Sequence, residues 1–421
     1  MKLSSKSLGL AAITLLALPM ALSACSSSGS DSGGPTTITF WNGFTASDRP
    51  VVEEIVDNFN SSQKDYTIDM TVQPWDVFYQ KLLPAYSAGE GPTLAGFNAL
   101  YFPGYSSKGV LEPTDDFLAG WKDSGSLRED AVQATMYDGK NYGVPMSAAS
   151  SMLYYNKTLL AEAGITEPPA TLDELADAAV KLTKYDEGNP SNSVYGLAIP
   201  DHAAISTWTA FMQANGGGVV NDDGTKSLFD SPESIDTITK WTDLVKNDHI
   251  SPVNLGGVEG DNLFTAGKAA MYINGPWAST GFTEAGIDFG LATVPEGTVK
   301  QTATLDSNNF GISAEATDEE KAGAEAFITF WNSTDQQLVW ALGTGNAPTR
   351  TDITADQLAE NPNSVAFSKA QSAQLSLPAL VDFQQIDSEV LTPTIQRVLN
   401  GEGTAEDLMT EGSKQITSLM Q

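Results

Sequence analysis

Cysteine is nearly missing from this sequence: Cys25 is the only one in 421 residues, so no disulfide can form within the chain. Histidine is almost as rare. His202 and His249 have no second ligand at metal-binding spacing, and no metal is expected. Positive charge is also scarce, with 22 basic residues against 53 acidic ones and a net charge of −31. Such a chain repels phosphate backbones and anionic headgroups, which argues against nucleic acid or an anionic lipid surface as partner. It also disfavours sulfated or phosphorylated ligands unless charge is segregated locally. The motifs GxSxG, GxGxxG and HExxH and the phosphate-binding loop are all absent, as is any internal repeat. A glycosidase survives these exclusions because it needs only two carboxylates.

One long apolar run is present, Leu8 to Ala21, preceded by Lys2 and Lys6. It is too short for a comfortable membrane span and ends in Leu22-Ser23-Ala24-Cys25. Small residues before a cysteine resemble the lipobox of bacterial lipoproteins. The resemblance implies a signal peptide over 1–24 and a lipid, palmitate among its chains, on Cys25. Ser26 to Gly34 contain no apolar residue, so residues 25–36 read as a flexible tether. The mature protein is expected outside the cytoplasm, held by its lipid on the outer face of the cell membrane.

About 400 residues remain, enough for two cores and too many for one. Thr37 to Phe40 alternate as a strand, and Trp41-Asn42-Gly43-Phe44 leave its end as a loop. Ser47 or Asp48 can cap a helix with Val52, Ile55, Val56 and Phe59 on one face. Ile68, Met70 and Val72 alternate again, giving a β-α-β opening. A helix after Trp75 and a strand over Gly91 to Asn98 follow, the latter presenting Phe97 with Tyr101 close behind. Thr171 with Glu174, and Thr317 with Glu320, form capping boxes. Val219 to Phe229 read as a hairpin with Asp222 and Asp223 in a bare turn, and Glu259 and Asp261 as caps of a helix starting at Asn262. Phe264 to Ala278 read as a helix end at Gly267, an inner strand over Ala269 to Ile273, and a stop at Asn274-Gly275-Pro276. Trp277 then sits beyond a strand end, where open α/β sheets bind ligands.

Gly139 to Asn156 read as a crossing into a second lobe, and Thr304 to Ser313 as a strand returning to the first, interrupted at Asp306 to Asn309. With a further crossing near 355, each lobe is discontinuous. The expected fold class is α/β, with two discontinuous lobes joined by a hinge. Its N-terminal lobe spans 37–147 and 309–355, and its C-terminal lobe 148–308 and 356–421.

Several ordered signatures carry a resemblance: WNG at Trp41 to Gly43, YGVP at Tyr142 to Pro145, LYYNKTLLAEAGI from Leu153, FTAGKAAMYINGPW, and GEGT near Gly401. Together they resemble the solute-binding lipoproteins of ATP-driven (ABC) sugar importers, of the maltose-binding-protein type. The resemblance implies a two-lobed periplasmic-binding-protein-like fold with a hinge and a central ligand cleft that closes on a saccharide, delivery to a membrane permease, no catalysis, no cofactor, and a monomer. It implies that Trp277 stacks on a sugar face, that Phe97 and Phe383 stand where stacking aromatics are expected, and that Phe44 and Trp208 lie beside ligand-contacting loops. Tyr101 and Leu100 replace an arginine and an aspartate of the maltose binder, and Ala149 or Ser150 an acidic residue, so maltose itself is not implied.

Rings giving about 0.5 to 1.5 kcal/mol each reach only about 2 to 6 kcal/mol for three or four. Micromolar binding needs about 8 kcal/mol, so polar side chains must add to them. By position the candidates are Asn42, Asp76, Asn98, Asn274, Asp306, Asn308 and Asn309, with Trp41 and Trp75 divided between cleft and core. The expected ligand is a neutral oligosaccharide. A secreted glycoside hydrolase with an aromatic cleft is the alternative, and a peptide or amino-acid receptor, which would want a buried arginine such as Arg350, ranks last.

Overall fold

The computed structural model describes residues 34–45, 48–202, 205–370, 374–375 and 380–420, side chains excepted at Asp76, Leu305, Asp306, Gln374 and Leu375. The signal peptide, Cys25, the tether up to residue 33 and Ser47 therefore lie outside the described residues.

The first sheet runs in the order Tyr66–Val72, Thr36–Asn42, Leu94–Asn98, Asn308–Ile312, Val144–Pro145. Its first three strands are parallel and the other two antiparallel to their neighbours. The parallel trio follows from β-α-β crossovers through the helices Arg49–Ser62 and Trp75–Ser87. Helix Arg49–Ser62 buries Val52, Ile55, Val56 and Phe59 on one face, as its spacing requires, while Asp48 at its N-cap makes no side-chain capping bond. Helix Asp318–Trp331, opened by the Thr317–Glu320 capping box, adds Phe327 and Trp331 to the same core.

The second sheet has the order Phe289–Ala292, Met152–Asn156, Ala269–Asn274, Tyr195–Ala198. Ala269–Asn274 is its inner strand, antiparallel to Met152–Asn156 and parallel to Tyr195–Ala198, with its first five residues buried. That burial on both faces explains a continuous apolar run instead of an alternating one. Gly267, at φ +66°, ends the preceding helix in the left-handed conformation that the sequence calls for. Helix Leu172–Leu182 carries the second capping box and packs its apolar face into the same core.

Two short passages join the sheets. The chain leaves Val144–Pro145, pairs Ala149–Ser150 with Ala303–Asp306, and enters Met152–Asn156. It returns from Ala303–Asp306 through Ser307 to Asn308–Ile312. The passages are bonded together: Met146 and Ser147 donate their N–H groups to Asn308 O at 2.9 and 3.0 Å, and Ser307 Oγ donates to Ser147 O at 2.9 Å. Near 355, the chain runs from helix Thr334–Thr344, whose Trp340 joins the first core, to helix Pro362–Lys369, whose Phe367 packs beside Tyr154 of the second sheet.

The Val219–Phe229 hairpin forms in short: Val220 and Ser227 make an antiparallel bridge, Asn221 donates its N–H to Lys226 O at 2.9 Å and Leu228 its N–H to Val219 O at 3.0 Å, and the side chains of Asn221 and Asp223 accept the Thr225 N–H in the turn. One local expectation is corrected. The helix expected at Asn262 begins at Gly257, which places Glu259 and Asp261 inside it instead of ahead of it.

Candidate functional site

Strand ends from both sheets converge on a cavity of about 600 Å³. Beyond Thr36–Asn42 stands Phe44, and Leu94–Asn98 ends on Asn98 itself; Pro200 follows Tyr195–Ala198, and Asn274 closes Ala269–Asn274. All four line the cavity, in keeping with ligand sites at the carboxyl ends of parallel strands.

An aromatic wall runs along one side. Phe44 meets Trp75 edge-on at 5.4 Å, Trp75 stacks on Tyr79 at 5.7 Å, Tyr79 meets Tyr101 at 4.4 Å, and Tyr101 reaches Phe383 at 5.9 Å. Trp75 and Tyr79 share a face because they are four apart on helix Trp75–Ser87. From the second sheet comes Trp277, the first residue of helix Trp277–Glu284. Its turn is held from below, since Tyr154 OH donates to Gly275 O at 2.7 Å and Ser279 Oγ to Pro276 O at 2.7 Å.

Both indoles lie on glycines. A Cβ added at Gly43 would overlap the ring of Trp75, and one added at Gly275 would overlap the ring of Trp277. Glycine is required at both places because the rings occupy the volume of a side chain.

The polar part of the cavity is acidic. Asn274 Nδ2 donates to Asp261 Oδ1 at 2.7 Å, and Asn274 Oδ1 accepts the N–H of Gly275 at 2.8 Å. Burial pushes the Asp261 carboxyl up to about 6, against the opposing hydrogen bonds of Tyr272 and Asn274. Asp387 is likewise raised to about 6 by burial, opposed by a hydrogen bond from Thr392. It sits in the π-helical turn Ile386–Leu391, just before Pro393, whose missing N–H interrupts the ordinary helical ladder. Asp48 also lines the cavity, which has no lysine, arginine or histidine among its described lining residues.

The structure thus brings together Phe44, Trp75, Asn98, Tyr101, Asn274, Trp277, Asn308 and Phe383 of the sequence candidates. It places five others elsewhere. Phe97 is fully buried and stacks on Phe102 at 4.1 Å, because its strand is covered on both faces. Trp208 is a core residue whose Nε1 donates to Pro200 O at 2.8 Å. Asn42 is buried with its Oδ1 accepting the N–H of Phe44 at 3.1 Å. Trp41 packs half-buried on the core around Phe78 and Phe97 and is not among the residues lining the cavity. Asn309 is buried at the strand junction, donating to Ser307 Oγ at 3.1 Å. The side chains of Asp76 and Asp306 lie outside the described residues.

Asp261, Asp387 and Tyr79 were missed. The i, i+4 spacing from Trp75 could have found Tyr79, whereas Asp261 is 13 residues from Asn274 and Asp387 lies in an ordinary-looking helical tail, so neither carries a local signal. Arg350 is engaged with Asp352, through Nε at 2.8 Å and Nη2 at 2.6 Å, and with Asn332 O at 3.0 Å. It is committed to structure and does not line the cavity.

Two α/β sheets joined by paired crossings, with strand ends facing one cavity, define the class: a two-lobed ligand-binding protein of the periplasmic-binding type. More particularly, the chain belongs to the bacterial extracellular solute-binding protein family, which it matches over residues 54–366. It is 28% identical over 326 residues to a galactooligosaccharide-binding protein of Bacillus subtilis (strain 168), covering 73% of this chain and 72% of that one. It is 25% identical over 338 residues to an sn-glycerol-3-phosphate-binding periplasmic protein of Brucella abortus (strain 2308), covering 74% of each. An ABC transporter solute-binding protein of Thermotoga lettingae TMO, solved with alpha-D-tagatose, superposes with a TM-score of 0.82 at 26% identity over 92% of this chain and all of that one. These relatives are binding proteins, and the family is extracellular.

Proposed function

We propose that the protein captures a neutral oligosaccharide in this cavity and hands it to the permease of an ABC importer, with no chemical step and no cofactor. The observation that carries the reading is that aromatic residues from both parts of the chain, Trp75, Tyr79 and Tyr101 after strands of the first sheet and Trp277 after a strand of the second, line one cavity with polar strand ends. A pyranose packs its C–H face on such rings, while its hydroxyls need the amides and carboxylates between them. The galactooligosaccharide-binding relative and the tagatose-bound structure support a sugar, and the latter, an ABC transporter solute-binding protein, supports transport.

The lobes are 37–147 with 309–355, and 148–308 with 356–421, the bonded passages through Ser147 and Ser307 serving as the hinge. Ligand bridging the lobes favours a closed form that the permease recognises. The mature protein is a monomer held outside the cytoplasm by a lipid on Cys25, and labelling with a radioactive fatty acid tests that anchor. The function is tested by a thermal-shift screen of the lipid-free mature protein against neutral oligosaccharides of varied linkage and length. A sugar at well above its dissociation constant raises the melting point by mass action. Release of reducing sugar during the assay would reverse the non-enzymatic reading.

A further inference from the structure

Two largely buried carboxylates in the cavity can do more than accept hydrogen bonds from sugar hydroxyls. Asp261 and Asp387 come from different elements, helix Gly257–Thr265 and the turn Ile386–Leu391, yet both line it. No basic side chain is among the described lining residues to balance them. The nearest described hydrogen-bonding groups are neutral: Asn274 and Tyr272 at Asp261, Thr392 at Asp387. Neutral donors orient a carboxylate but leave its charge in place, and a ligand that seals the cavity removes water from it. A protonated amine on the ligand would offset that loss, and a second anion would deepen it.

We propose, resting on the oligosaccharide reading above, that Asp261 and Asp387 sort saccharides by charge. An amine-bearing sugar binds more tightly than its neutral counterpart, and a carboxylate-bearing one is refused. Burial raises the proton affinity of both groups, since a carboxylate taken from water is penalised in its charged form. The acceptor oxygens remain useful to neutral hydroxyls, so the sorting is one of degree for amines and of exclusion for anions.

The experiment uses matched trisaccharides on the mature protein at pH 7.5. Maltotriose, cellotriose and α-1,4-galactotriose are each compared by titration calorimetry with the form bearing 6-amino groups in place of the 6-hydroxyls, which stay protonated at this pH, and the form whose 6-hydroxymethyl groups are carboxylates. The expected result is an affinity gain of about tenfold or more for the amine over the neutral form, and no measurable binding of the uronate. In Asp261→Asn and Asp387→Asn the ratio of amine to neutral affinity, taken within each variant, falls toward one. Because it is a ratio, it does not depend on how much of the variant is folded. A neutral sugar that binds with its uronate binding equally well overturns the sorting and leaves the oligosaccharide reading intact, as does a ratio unchanged in both variants. Silence with every sugar of all three kinds overturns both.

Discussion

Two strand ends, one in each sheet, begin alike and finish differently. Thr36–Asn42 and Ala269–Asn274 both terminate in Asn-Gly, and in both the glycine is the floor beneath an indole. At the first end the asparagine is buried, its Oδ1 taken by Phe44 N–H and its Nδ2 without a partner among the described residues. At the second the asparagine faces the cavity and ties Asp261 to the turn. The indole at the first end, Trp75, arrives from a helix 32 residues on, while Trp277 belongs to the same turn as its glycine. The lesson is that a dipeptide sets the backbone of a strand end, and neighbours distant in sequence set whether its side chain serves the site or the core.

The largest effects should come from the two glycines. Gly43→Ala and Gly275→Ala force an indole out of its place, an overpacking cost of about 1 to 3 kcal/mol, and sugar affinity should fall by about 10- to 100-fold in each. Calorimetry with the best neutral trisaccharide checks this, and intrinsic tryptophan fluorescence reports whether the ring has moved. Loss at Gly275 alone would mean that only the second strand end serves the site.

Next come the indoles. Trp277→Ala should weaken sugar binding by about tenfold or more, with a melting point close to that of the wild type. Trp75→Ala should lose both affinity and stability, since Trp75 also packs on Phe44, Phe78 and Tyr79. Equal affinity in Trp277→Ala would remove that residue from the site and leave one functional end.

The asparagines separate the two ends more finely. Asn42→Ala should cost about 0.5 to 1.5 kcal/mol of stability with sugar affinity little changed. Asn274→Ala should reduce affinity, because it releases the Asp261 carboxylate from its anchor. Denaturant melts beside calorimetry distinguish the outcomes, and identical behaviour of the two variants would erase the difference drawn between core and site.

The smallest effect is on pH. The folded-state pKa of Asp261 is raised from 3.8 to about 6, so the native state holds a proton that the unfolded chain has released. Its contribution to stability is therefore present in full below about 4, and is lost as pH rises through about 6. The same sign holds for Asp387. The melting point of Asp261→Asn minus that of wild type should become more positive between pH 4 and 7, and a flat difference would contradict the buried carboxyl.

Much of this organisation was legible in the residues. Both capping boxes form, the inner strand stops at Asn274, and the polar break in Thr304 to Ser313 falls at Ser307 between two strands. Phe97 and Trp208 were not legible, for a common reason. Their segments are buried on every side, and an aromatic residue in such a segment gives no sign of which face meets a ligand. Asp261 was hidden by its own plausibility as a helix cap, a role that needs only sequence position.

By itself the sequence determined most of the elements, several of their ends and the family, because hydrophobic period, caps and Asn-Gly stops act through neighbours a few residues away. Only the tertiary structure decided which strand-end groups share a cavity, that Gly43 and Gly275 are seats for indoles, and that Asp261 and Asp387 both line it with no basic residue among the described lining residues. Those facts depend on contacts between distant segments and on the water that packing removes, and neither is written in any local pattern.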